Sequence, residues 1–471
     1  MREKMIKKWA GIFLSLIFML TSCQKSPSVA IDLPQILARG KLIAILGYSP
    51  TSYFLYKGEP MGYEYELLTL LAKHLDVKLE IIIENNLEKM FERLNRGEGD
   101  LIAHSLTVTR KRKQYVNFTD YLFTTRQVLV QRKPPNWRSM KLHQIEQSLI
   151  RNPIQLIGKT IYVKSGSSHY ERLLHLMDEI GGKIHIVTVD GDTTSEQLIQ
   201  AVAEGKIDYT IADQHVALIN QAYFQNLDVE TAISLPQQIA WALRKTSPQL
   251  LKAVNEWIAQ MKKQDVFYVI YNKYFKNRRA FVRRVKTLYS PDKGFQISPF
   301  DSLIQREARR LKWDWRLLAS LIYQESQFDP RARSWSGAVG LMQLTPRIGK
   351  KYGVRNLYDP EQNIRAGVQY LKWLDSYWKE EIPDSVERLK FVLASYNVGI
   401  GHIADARALA KKYGKNPNRW EDVAYYLLRL SEKQFFSDPV VQYGYCRGLE
   451  PYRYVEEILE RFAQYQQLVT A

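Results

Sequence analysis

The sequence predicts two unlike parts: a bilobal α/β domain followed by a mainly α-helical domain. Three observations carry this. The chain has 471 residues, enough for two to four domains at roughly 100–200 residues each. Between residues 40 and 270 short β-rich runs alternate with helical stretches, and the alternation starts afresh near residue 160, which gives two lobes. Beyond residue 298 the chain reads as mostly helical.

The elements of the first part follow from local pattern. Lys41-Leu42-Ile43-Ala44-Ile45-Leu46 is a strand. Tyr63 to Leu75 is a helix with Leu67, Leu68, Leu70 and Leu71 on its apolar face. Val77 to Ile83 is a second strand, Leu87 to Leu94 a helix, and Asp100 to Ala103 opens a third strand. The second lobe repeats the scheme with Thr160 to Val163, a helix from about His169, Ile184 to Val189, a helix over Ser195 to Ala203 and the strand Tyr209 to Ala212. This order predicts largely parallel sheets.

Composition bounds the function. Hydrophobic residues are 45% and charged residues 25%, as in ordinary globular proteins, and 12% aromatic content argues against a disordered chain. The net charge of +18 favours an anionic partner: nucleic acid, an anionic membrane or a negatively charged wall polymer. Cys23 and Cys446 are the two cysteines, which excludes a disulfide framework and a Cys-based zinc site. No metal or organic cofactor is implied.

The N-terminus points to export. Arg2, Lys4, Lys7 and Lys8 precede an apolar run from Trp9 to Leu20, and Leu20-Thr21-Ser22-Cys23 follows. A basic region, a short apolar region and small residues form a secretory signal; the run is too short for a membrane-spanning helix. The ending resembles a bacterial lipobox. That resemblance implies that Cys23 becomes the lipidated first residue of the mature chain. With Gln24 rather than Asp after it, the chain is expected at the inner leaflet of the outer membrane, on the periplasmic side. Acyl chains bury about 0.8 kcal/mol per CH₂, so such an anchor holds. The expected layout is a signal peptide over 1–22 and a lipidated tether over 23–39. Export, and the lack of zinc-finger, recognition-helix or stacking-strand motifs, argue against nucleic acid as the partner.

Several short segments carry a family resemblance for residues 40–270. Gly62-Tyr63-Glu64-Tyr65-Glu66-Leu67-Leu68, Gly97-Glu98-Gly99-Asp100-Leu101-Ile102-Ala103, Leu106-Thr107-Val108-Thr109-Arg110-Lys111-Arg112 and Asn117-Phe118-Thr119-Asp120-Tyr121 resemble segments of extracellular solute-binding proteins, family 3. Asp120 stands where that family usually has Pro. Lys164-Ser165-Gly166-Ser167-Ser168 and Ile211-Ala212-Asp213 match its second-lobe positions. The resemblance implies a periplasmic-binding-protein fold with a ligand site at Thr107, Arg112, Ser168 and Asp213. The chemistry is coherent: a guanidinium grips a carboxylate through two parallel hydrogen bonds, N–H groups at a helix start attract an anion, and Asp213 can pair with an ammonium. The effector expected is an amino acid or a muropeptide. The alternative is that these residues only hold the fold.

Residues 271–297 form a basic linker. Tyr271 to Ser290 carries Lys273, Lys276, Arg278, Arg279, Arg283, Arg284 and Lys286 and no acid. It reads as a solvated helix face joining two domains, or as a contact for anionic wall polymer or lipid headgroups. Ser290-Pro291-Asp292-Lys293-Gly294 is a turn-rich boundary.

In residues 298–460 the chemistry is concentrated in four places. Asp314 suits a helix N-cap. Leu318, Ile322 and Glu325 then fall on one helix face, where a carboxyl group is poorly solvated and its pKa rises. A raised pKa suits a general acid; a buried Glu bonded to a neighbouring helix is the plainer reading. Gln324-Glu325-Ser326-Gln327-Phe328-Asp329-Pro330, Ser334 to Pro346 with Gly340-Leu341-Met342-Gln343, Ala394-Ser395-Tyr396-Asn397-Val398-Gly399 and Glu450-Pro451-Tyr452-Arg453-Tyr454-Val455 together resemble the soluble lytic transglycosylases. The third segment departs from that family in carrying Ser395 ahead of Tyr396.

The resemblance implies a lysozyme-like fold and non-hydrolytic cleavage of peptidoglycan glycan strands between N-acetylmuramic acid and N-acetylglucosamine. It implies Glu325 as the catalytic acid and base, with Ser326, Met342, Gln343, Asn397 and Tyr454 around the substrate. Tyr396 is expected to be structural. Asp329 is expected to close the helix of Glu325, and Asp359 and Glu361 to be turn or cap residues. Residues 461–471 are a C-terminal tail. A solute-binding domain ahead of such a domain, behind a lipobox, resembles the order of parts in membrane-bound lytic transglycosylases. A hydrolytic muramidase on the same fold, and a solute receptor whose second domain only grips glycan, remain as alternatives.

Overall fold

The structure, a computed structural model, describes residues 30–56, 58–288 and 296–469. The expected signal peptide, the lipidation site Cys23, the first part of the tether and the turn-rich boundary lie outside them; the rest of the expected tether holds a helix, Leu33–Arg39. The chain divides into two compact units, one ending at Arg283 and one built from Arg284 onward together with Leu55–Pro60.

The first unit holds two sheets. In chain order the strands are β1 (Lys41–Leu46), β2 (Phe54–Tyr56), β3 (Glu59–Met61), β4 (Lys78–Ile83), β5 (Leu101–Thr107), β6 (Val116–Phe118), β7 (Phe123–Thr125), β8 (Gln127–Arg132), β9 (Thr160–Lys164), β10 (His185–Val189), β11 (Tyr209–Asp213), β12 (Leu227–Asp228) and β13 (Gln237–Arg244), of which β2 and β3 pair as a separate hairpin that falls mostly in the second unit. One sheet has the order β4-β1-β5-β13-β6, with β7 also on β13, and the other the order β10-β9-β11-β8-β12. In each, one strand runs against all the others: β13 in the first sheet and β8 in the second. The other strands of each sheet run one way, as the sequence order predicts, and the sheets are mixed only through these two reversed strands. The chain leaves the first sheet after β7 and returns on β13, which runs against both β7 and β5.

Helices pack on these sheets for reasons legible in the residues. Asn86 caps helix Leu87–Asn95, its side chain accepting from the Glu88 and Lys89 N–H groups. That helix buries Met90 and Leu94 against Ile45 and Ile102. Thr194 opens helix Ser195–Ala203 with a capping box closed by Gln197. In the second lobe Leu129, Ile161, Val163 and Leu173 share one core. Asp100, from the Gly-x-Gly-Asp run, is buried: it accepts the Ile43 N–H at 2.7 Å and pairs with Arg39 and Arg244. It ties strands together. In the segment expected as a basic linker, helix Asp265–Tyr271 runs through a π-helical turn, Asn272–Lys276, and a further helix spans Arg278–Leu288.

The second unit is helical. Helix Trp315–Ser326 starts at Asp314, whose side chain accepts from the Arg316 N–H at 2.9 Å. Leu318 and Ile322 are fully buried on it. The helix does not close at Asp329; it ends at Gln327 in the left-handed region (φ 51°), with Phe328 following at φ 60°. Asp329 instead caps the next turn by accepting the Arg331 N–H at 2.8 Å. Helix Pro360–Trp378 is capped by Asp359, helix Ser385–Val398 by Asp384, and the long helix Leu449–Leu468 packs along Trp315–Ser326. Phe391, Leu371, Leu374, Val455 and Ile458 fill the core between them. Cys446 is buried, and burial pushes its thiol up to about 11, so it is inert at neutral pH. Among the described residues no helix is long and apolar enough to cross a membrane.

Candidate active site and ligand cleft

Glu325 sits in the last turn of helix Trp315–Ser326. Burial raises its carboxyl to about 7, against the smaller opposing effect of a hydrogen bond from Tyr454. That bond, Tyr454 Oη to Glu325 Oε1, is 2.5 Å long, short for a hydroxyl–carboxyl pair. Tyr454 stands near the start of helix Leu449–Leu468, so the packing of two helices sets the contact. Glu325, Asn397 and Tyr454 line one groove of about 520 Å³, with Arg447, Glu450 and Arg453 on its rim.

The other expected substrate residues are engaged in the wall of the site. Ser326 donates to the Leu341 carbonyl at 2.8 Å and lies 3.2 Å from the Ile322 carbonyl, fastening the helix end to the following loop. Gln343 adopts φ 47° and donates to the Gly340 and Ala332 carbonyls at 2.9 and 3.1 Å. Met342 is fully buried beside Gly367. Tyr396 is held by a 2.7 Å bond to the Met342 carbonyl and lies beside Glu325.

Gly340 has φ 81°, and a Cβ there would lie 2.3 Å from the Leu357 carbonyl and 2.4 Å from Asn363 Nδ2. Asn363 is the residue that sequence reasoning missed. It accepts the Met342 N–H at 2.8 Å and donates to the Val339 and Leu357 carbonyls at 3.0 and 2.8 Å. Its signal was a lone amide on the apolar face of Ile364, Gly367, Leu371 and Leu374.

In the first unit, Thr107, Arg112, Ser168 and Asp213 all line one cavity of about 90 Å³. Arg112 donates to the Thr107 carbonyl at 3.0 Å and the Gly166 carbonyl at 3.3 Å. Burial lowers its pKa from the ordinary guanidinium value. Ser168 donates to Thr107 Oγ1 at 3.2 Å and accepts from Gln127 at 3.1 Å. Burial works against the Asp213 charge, yet His169, His215 and Arg112 together hold its carboxyl below the usual range. His169 Nε2 is 3.6 Å from Asp213 Oδ1, beyond hydrogen-bond length, and both atoms are buried without a partner.

The same cavity includes His104, Lys164 and Glu196, which sequence reasoning did not assign to it. Burial, with the nearby Lys164 and Arg112 cations, pulls His104 down to about 3, so it is neutral. Orphaned atoms and opposed charges make this cavity suited to a zwitterion. Among the described residues no group of His, Cys, Asp and Glu is arranged to hold a metal.

Comparison with known proteins gives two family matches. The model for bacterial extracellular solute-binding proteins, family 3, matches residues 42–277, and that for the transglycosylase SLT domain matches residues 302–419. The membrane-bound lytic murein transglycosylase F of Desulfosudis oleivorans is 37% identical over 433 residues, covering 90% of each chain. That of Pseudomonas fluorescens strain Pf-5 is 34% identical over 458 residues, 96% of this chain and 89% of its own. Among solved structures, the ancestral amino acid-binding protein AncCDT-1, a precursor of cyclohexadienyl dehydratase, is 26% identical, with a TM-score of 0.44 over 52% of this chain and 99% of its own.

Proposed function

This chain belongs to the membrane-bound lytic murein transglycosylase F family, and from that premise we propose that Glu325 cleaves the β-1,4 bond between N-acetylmuramic acid and N-acetylglucosamine without water. The observation that carries the reading is a single desolvated carboxyl near 7, bonded to Tyr454 at the wall of an open groove. A group with that pKa is present in both forms near neutral pH, as a residue that gives and then takes a proton requires.

The protonated Glu325 gives its proton to the glycosidic oxygen as the bond to C1 of the muramic residue breaks. The N-acetyl oxygen of that residue stabilises the cation at C1. The Glu325 carboxylate then takes the proton from the O6 hydroxyl, whose oxygen bonds to C1 and closes a 1,6-anhydro ring. Most glycosidases use two carboxylates; substrate-assisted ones are the exception. Glu450 and Glu457 also reach the groove, but both are exposed, and Glu457 accepts from Gln324 at 2.8 Å. The amide of Asn397 orients the N-acetyl group without adding charge, and Tyr454 orients the acid. Ser326, Met342 and Gln343 act by shaping the loop.

The cavity at Arg112 and Asp213 takes an amino acid or the peptide end of a muropeptide. Its occupancy sets the activity of the catalytic domain, and this coupling is reciprocal. Cys23 carries the lipid that holds the chain at the outer membrane on the periplasmic side.

The test is mass spectrometry of products from purified peptidoglycan digested with residues 24–471, beside Glu325→Gln. Anhydromuropeptides from the unsubstituted chain alone support the reading. Reducing ends would make the enzyme a hydrolase, the same products from both chains would overturn Glu325 as acid and base, and no products from either would favour a binding protein.

A further inference from the structure

Trp335 is fully exposed. A tryptophan offers about 150–250 Å² of surface for burial, and its type is among the more buried on average. Its turn is closed by hydrogen bonds. Ser334 N–H donates to the Ala338 carbonyl at 2.9 Å, the Ala338 N–H returns to Ser334 Oγ at 2.9 Å, and the Gly337 N–H donates to the Ser334 carbonyl at 3.1 Å. Arg333 and Val339 bridge below the turn. The turn presents the indole outward, clear of its own loop.

Arg331 and Arg333 precede it on the same limb, both exposed and, among the described residues, without an ion-pair partner. The return limb leads to the loop that anchors the helix end carrying Glu325. Leu341, six residues on, accepts from Ser326, the neighbour of Glu325, and the Met342 carbonyl accepts from Tyr396. Six residues of chain reach at most about 20 Å. An aromatic face attracts the weakly positive C–H face of a sugar ring, and a guanidinium pairs a carboxylate.

We propose that Trp335, with Arg331 and Arg333, is a distal substrate-binding arm that stacks on a sugar of the glycan strand and pairs the carboxylates of its stem peptides beyond the cleaved bond. The proposal rests on the reading of the Glu325 groove as the glycan site.

Binding is measured with residues 24–471 carrying Glu325→Gln, titrated against insoluble peptidoglycan sacculi and, separately, against vesicles with anionic headgroups. Adding Trp335→Ala is expected to weaken sacculus binding on the order of three- to tenfold, while Trp335→Phe retains most of it. Arg331→Gln with Arg333→Gln weakens it at low salt and much less at high salt. In the active chain, Trp335→Ala raises KM on sacculi with kcat unchanged, and leaves turnover of a short soluble tetrasaccharide untouched. Unchanged sacculus binding would overturn the proposal. So would a loss confined to vesicles, which assigns the indole to a membrane, or a fall in kcat on the short substrate, which makes it part of the groove itself. If the active chain leaves sacculi uncleaved, the transglycosylase reading fails, while Trp335-dependent sacculus binding still upholds the arm.

Discussion

The Tyr454 hydroxyl donates to Glu325 Oε1 across 2.5 Å, and the two residues come from helices joined by their apolar faces. The bond favours the carboxylate and opposes the burial that raises its pKa. Tyr454→Phe keeps the ring and removes the donor. It is expected to lower kcat about ten- to a hundredfold, as for a lost hydrogen bond to a charged group. The alkaline limb of the pH–rate profile then moves upward, because the carboxyl holds its proton to higher pH. An unmoved limb would mean that the tyrosine does not act through Glu325.

Glu325 also ties stability to pH. Its folded-state pKa, about 7, lies above the ordinary glutamate value of 4.5, so the folded chain holds the proton more tightly than the unfolded chain. The stability from this group is fully present below about 4.5 and is lost as pH rises through about 7. The loss is at most about 3 kcal/mol. Glu325→Gln does not titrate there. It is expected to melt close to the unsubstituted chain at about pH 4.5 and above it at about pH 8, while losing activity at both. Calorimetry across that range checks the sign.

Much of this was legible in the residues. The strand Lys41–Leu46 and the helix Ser195–Ala203 have the bounds their patterns predict, because a short apolar run, Leu42 to Leu46, and a capping box mark them. Strands β8 and β13 were not anticipated. β8 buries Gln127 and Gln131 within an otherwise apolar run. Gln131 is satisfied by Ile150 and Asp228, partners 19 and 97 residues away, which no local pattern records. The same limit explains the catalytic loop. Ser326 and Gln343 carry family signal, but the carbonyls they bond depend on how the loop folds back. Asn363 carries its own signal only once Met342, Val339 and Leu357 are seen around it.

The cavity at Arg112 and Asp213 predicts a ligand with both charges. Arg112→Gln removes the fork for a carboxylate, and Asp213→Asn the counterion for an ammonium. Each is expected to weaken binding about tenfold or more, measured by calorimetry on the full chain with a panel of free amino acids and muropeptides. Neither residue lies in the catalytic unit, so cleavage without ligand is expected to persist. Ligands lacking the ammonium are expected to lose affinity for the unsubstituted chain and to discriminate less against Asp213→Asn. Silent titrations with every ligand would leave these residues a role in the fold alone.

The loop beside Glu325 depends on one glycine and one amide. Gly340→Ala must hold φ 81° with a Cβ 2.3 Å from the Leu357 carbonyl. Such a position costs more than about 1 kcal/mol. Asn363→Ala leaves the Met342 N–H and the Leu357 carbonyl without their partner in the core, at roughly 1–3 kcal/mol for each group stranded, while the Val339 carbonyl keeps the Leu344 N–H at 3.1 Å. Asn363→Asp preserves shape and the acceptor for Met342 but removes both donors, so it separates packing from hydrogen bonding. All three are expected to lower the melting transition of the catalytic unit by several degrees and to leave that of the solute-binding unit in place; the two are read separately because a two-unit chain has no single melting point. Activity at a temperature well below melting is also expected to fall, since the loop carries Leu341 and Met342, the anchors of Ser326 and Tyr396. A loss of stability without a loss of activity would show that the loop holds the fold and leaves Glu325 undisturbed.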